Sequence, residues 1–168
     1  IIGLIIYSAI QAYYAIAGNF ESKSSYHPHT KPVILGILIC IFIEIIIGTE
    51  IRGGLDMSRK ENPLIEGVIL LKMLGPFKYM HTILGFTLLG LTIYLWKIVN
   101  DIKFISSSFM VNSVNFIMGL IITQIILGEA LVFLEVKPLM QLFHMWFSSL
   151  LVGLSVASFT FYKISMEK

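Results

Sequence analysis

Residues 33–56 read VILGILICIFIEIIIGTEIRGGLD, an apolar run that ends in a glutamate, an arginine and an aspartate within nine residues of Gly48. A bilayer's hydrocarbon core of about 30 Å takes about 20 helical residues to cross. Residues 33–49 nearly suffice, and an extension through Glu50 and Ile51 carries the segment to the interface. The charged cluster Glu50, Arg52 and Asp56 therefore stands at a membrane edge, and what it faces there is the functional question.

The rest of the chain agrees with that medium. Of 168 residues 57% are hydrophobic and 13% charged, against roughly a quarter charged in soluble domains. Mean hydropathy is +0.87. The net charge of +2 is small and its basic residues are scattered, which excludes nucleic acid as a partner. Cys40 is the only cysteine, so no internal disulfide forms. Residue 1 already lies in an apolar segment, and the expectation is a piece of a longer protein.

Five segments are predicted to span the bilayer: 1–18, 33–49, 78–99, 113–134 and 139–163. The expected fold class is all-α, a polytopic membrane protein with a four-helix transmembrane bundle over 33–163 and one extra N-terminal transmembrane helix. Residues 19–32, NFESKSSYHPHTKP, read as a linker broken at Pro28 and Pro32. Residues 52–77 read as a long loop whose middle, LIEGVILLKML, is a candidate interfacial helix, and 164–168 as a tail. Lys and Arg divide six and six between the two sides, so charge counting sets no orientation.

Internal repetition says more. EIIIGTEI (44–51) and QIILGEAL (124–131) share an acid or amide, aliphatic residues and a glycine, and each is followed by a helix that opens on histidine. The two openings, HTILGFTLLG from His81 and HMWFSSLLVG from His144, carry a small residue at +4 (Gly85, Ser148) and glycine at +9. These helices run in the same direction, so the two histidines share a depth, each with a small residue one turn deeper on its own face. Two imidazoles beside two small residues suit a flat macrocycle held from facing helices, a bis-histidine heme with His81 and His144 on the iron. The competing reading is close helix packing at small residues and polar core histidines. Intramembrane polar groups are costly and usually functional, which favours the pair as ligands. His27 and His29, in HPH, lack a nearby third ligand and make a poor metal site.

The order of IIIGTEIRGGLD, YMHTILG, QIILG and LFHMWFSSLLVGL resembles the heme A synthase family over about residues 33–163. That family oxidises a methyl group of heme O to the formyl group of heme A for cytochrome oxidase assembly. The resemblance implies two tandem four-helix halves, each with a heme-facing histidine pair; 33–163 is one half, and 1–18 ends a preceding one. It implies a b-type heme here (or heme O as substrate), an integral multi-pass protein of a prokaryotic plasma membrane or the mitochondrial inner membrane, and histidines facing away from the cytoplasm. Implied partners are the bilayer, the heme, a missing N-terminal half or a homo-oligomer partner, and heme O synthase. Glu50 matches an acidic position linked to the oxidation, as a catalytic candidate. Arg52 suits a heme propionate through its planar fork, with Lys78 and Lys137 assisting, or belongs with Asp56 to an interfacial ion cluster. A b-type cytochrome that only transfers electrons is the alternative to the synthase.

Overall fold

The computed structural model describes residues 9–10, 25–65, 69–70, 72, 74–101, 103–104, 106–133 and 137–166. The expected extra helix at 1–18 falls almost wholly outside them. Four long helices make up the described chain: α1 (Thr30–Glu61), α2 (Phe77–Val99), α3 (Ser108–Phe133) and α4 (Pro138–Met166). All four are long and apolar enough to cross a membrane. Each packs on its neighbours in chain order, and α1 closes the ring against α4. The result is an up-and-down four-helix bundle in which residues 62–76 join α1 to α2 and shorter segments join the other helices.

α1 departs from the sequence reading at both ends. It starts at Thr30, so Pro32 lies in its first turn, where a proline's missing N–H leaves no intrahelical bond unmade. It then continues through GTEIRGGLD to Glu61, where a loop was expected. Thirty-two residues make a helix of about 48 Å, well beyond a core of about 30 Å. The overshoot is held by a small cluster in which Leu55 and Leu70 are buried, with Ile51, Leu74 and Leu131 against them. Gly54 lets Leu74 approach closely: a Cβ on it would come 2.5 Å from Leu74 Cδ2, so that methyl would have to move aside. Within the expected interfacial helix, the described residues 69, 70 and 72 are helical. Gly75, at φ +65°, makes the turn into α2 in the left-handed region that glycine enters without strain.

α3 begins behind Ser107, whose Oγ accepts the Met110 N–H at 3.2 Å and so satisfies one of the free donors of the first turn. Pro138 opens α4, the helical position that suits proline best.

The buried core is not centred along the bundle. Ile34, Ile37 and Ile41 of α1 meet Leu88 and Leu95 of α2, Met110, Val114, Ile117 and Ile121 of α3, and Leu151 of α4. All of these lie from the middle of the helices toward one end. Toward the other end that cluster gives way to polar, small or half-buried residues between the helices, among them Glu44, Gly48, His81, Gln124, Gly128 and His144. Large apolar side chains such as Ile39, Phe42, Ile83, Phe86, Phe116 and Leu150 are exposed on the outer surface. That distribution fits a lipid-facing exterior, where apolar groups need no burial in protein.

Candidate histidine-pair site

His81 lies in the first turns of α2 and His144 in those of α4. Their ring centroids are 6.3 Å apart with an interplanar angle of 60°. Helices that alternate in direction bring these two starts to the same end of the bundle, the end where the apolar core has stopped.

Each ring lies over a glycine of the preceding helix. A Cβ on Gly48 would sit 3.5 Å from His81 Cε1, and one on Gly128 would sit 3.8 Å from His144 Cε1. These are the two glycines of the repeated IIIG and IILG stretches, so the internal repeat is a repeat of histidine-on-glycine contacts between α1 and α2 and between α3 and α4.

The residue one turn before each glycine also reaches its histidine, in different ways. Glu44 Oε2 contacts His81 Nδ1. Both atoms are buried and find no further hydrogen-bond partner among the described residues. Gln124 Nε2 instead donates to the His144 backbone carbonyl at 2.8 Å, and His144 Nδ1 is buried without a hydrogen-bond partner among the described residues.

Of the expected small residues, Gly85 leaves room for Glu44, whose Oε1 would lie 3.3 Å from a Cβ there. Ser148 donates its hydroxyl to the His144 carbonyl at 2.9 Å, within its own helix. Arg52, two turns beyond Glu44 on the same face of α1, donates from Nη1 to the sulfur of Met145, the residue after His144. It also stands 3.8 Å from Asp56, both side chains about half exposed. The cluster of the opening sequence thus borders the histidine end of the bundle. Glu50 is exposed and lies about 200° round α1 from Gly48, on the face turned away from the rings. The acid that the fold brings to the histidines is Glu44. Lys78 holds its ammonium over the Tyr79 ring, 4.7 Å from the centroid, and Lys137 is exposed just before α4.

Sequence reasoning did not assign Glu44, Gly48, Gln124 or Gly128 to the site. The signal was present in the repeat, whose matched acid-or-amide and glycine positions are these four.

His27 and His29 belong to the other end. His29 Nδ1 pairs with the Tyr94 hydroxyl at 2.7 Å, the His29 N–H donates to His27 Nδ1 at 3.1 Å, and the His27 ring meets Phe104 edge-on at 5.2 Å. They tie the segment before α1 to α2 and to the α2–α3 connection. Among the described residues no three His, Cys, Asp or Glu side chains gather as a metal-ion site. A groove of about 360 Å³ lined by Asn112, Asn115, Gly119 and Thr123 lies on α3, away from the histidine pair.

Together these features define an integral, multi-pass membrane protein with a paired-histidine site at one end of a four-helix bundle. The chain belongs to the cytochrome oxidase assembly protein family, that of heme A synthase, which it matches over residues 1–156. Among curated proteins and among solved structures, none matches the chain. The family implies an oxidoreductase that works with heme.

Proposed function

We propose that His81 and His144 hold the iron of a b-type heme between α2 and α4, and that the chain takes part in the oxidation of the heme O methyl group to the formyl group of heme A. The observation that carries the reading is the spacing of the two rings. A metal-bound imidazole nitrogen lies about 2.0–2.1 Å from the metal and about 1.1 Å from its own ring centre, so two imidazoles on opposite sides of one iron have centroids roughly 6.3 Å apart. The rings here are 6.3 Å apart. A macrocycle supplies the four remaining donors itself, so two protein ligands are enough.

A heme held by His81 and His144 would supply one-electron redox chemistry. The protein's own contribution is then positional. Gly48 and Gly128 let the rings lie directly on α1 and α3, which fixes their depth. Gln124 and Ser148 both donate to the His144 carbonyl and hold the first turns of α4 in register. Arg52, half exposed at the mouth, offers a planar fork to a propionate at the aqueous edge. With both histidines engaged on the iron, electron transfer would be this bundle's share of the oxidation.

Heme extraction from cells that make heme O tests the reading. Heme A should appear when the protein is produced in them, and should be lost in His81→Ala. Unconverted heme O beside a heme-loaded protein would leave the electron-carrying cytochrome instead.

A further inference from the structure

Glu44 has no role in the reading above, yet it is a carboxylate within a membrane-spanning helix, with only 13% of its side chain exposed. Acidic groups at that depth are rare and are placed against a specific partner. The partner here is a ring nitrogen, His81 Nδ1. Across the helix pair, Gly85 provides the space the carboxylate occupies, since a Cβ there would crowd Oε1 to 3.3 Å. The next cation on the same face of α1, Arg52, is two turns away, about 12 Å along the axis, and faces Met145 and Asp56.

The second hairpin lacks this arrangement. Gln124 occupies the position equivalent to Glu44 but bonds the His144 backbone, not its ring. The two halves of the repeat therefore present one imidazole backed by a carboxylate and one that is not.

We propose that Glu44 is a positioning residue for His81: its carboxylate accepts a hydrogen bond from the ring's Nδ1–H, leaves Nε2 as the ligating nitrogen, and makes the two imidazoles inequivalent. The inference rests on the bis-histidine reading above. A ring nitrogen that donates to a carboxylate fixes the tautomer and orientation of the imidazole and makes its other nitrogen a stronger donor. A stronger donor favours the oxidised iron, so Glu44 lowers the midpoint potential.

The test is a redox titration of the purified chain and of E44Q, with heme content measured in both. E44Q keeps the size of the side chain and removes its charge, and the potential should move upward while heme content is retained. Gly85→Ala provides a second route, because its methyl presses on Glu44 Oε1 without removing the acid; its potential should rise by less. Where E44Q does not hold heme, Gly85→Ala decides. A heme-loaded E44Q, or in its place a heme-loaded Gly85→Ala, with an unchanged or lowered potential overturns the role of Glu44 and leaves the ligand pair standing. A wild-type chain with no low-spin heme overturns both.

Discussion

The glycines beneath the rings set the most demanding test of the packing. At Gly48 a Cβ would lie 3.5 Å from His81 Cε1, and at Gly128 3.8 Å from His144 Cε1, both ordinary contact distances. Alanine at either position should therefore fit and leave the heme in place. Valine should not: its two γ carbons extend a further bond length toward the ring, and a β-branched side chain in a helix has one strongly preferred rotamer with which to avoid it. Overpacking of this kind costs about 1–3 kcal/mol. At about 1.4 kcal/mol per factor of ten, the population with the imidazole in its ligating place falls roughly 5- to 150-fold. Reduced-minus-oxidised spectra and the heme-to-protein ratio read the loss, and far-ultraviolet circular dichroism checks that the helices persist. Wild-type low-spin bands and full heme content in both Gly48→Val and Gly128→Val would refute the placement of the rings on these glycines.

Three further outcomes are expected. His81→Ala and His144→Ala each remove one axial ligand, so each should give a high-spin iron or lose the heme, as optical spectra will report. Arg52→Gln removes a positive charge at the mouth and favours the oxidised iron; the potential should fall in a redox titration. Because Arg52 is half exposed beside Asp56, that fall is at most on the order of 1 kcal/mol, about 40 mV for one electron. Ile37→Ala, in the packed half of the bundle where Ile37 is 1% exposed, should lower stability to denaturant by on the order of 2 kcal/mol without changing the spectrum of the folded protein.

The four described spans were legible because lipid imposes a simple rule on sequence: helices must be long and apolar. The segments 78–99, 113–134 and 139–163 differ from α2, α3 and α4 by a few residues at most ends. The error lay in α1, where charge was taken as the end of the helix. Charge marks where the chain leaves lipid, whereas a helix ends where its packing partners end, and Leu55 still has Leu70 and Leu74 to pack on. The pairing of the two histidines in space was legible too. His81 and His144 were readable from the repeat, since matched positions in alternating helices must meet at one end. Glu44 and the two glycines were not, because they act from the neighbouring helix and their relevance depends on how α1 and α3 are rotated. Sequence pointed to Glu50 as the acid; helical geometry puts it on the far face and Glu44 on the near one.

The central claim is that two histidines from two helices share one iron. An optical spectrum of the purified chain with a pyridine hemochrome assay tests it most directly. The account predicts a low-spin, six-coordinate b-type heme at one per chain; a colourless protein, or one whose heme is high-spin, would contradict it.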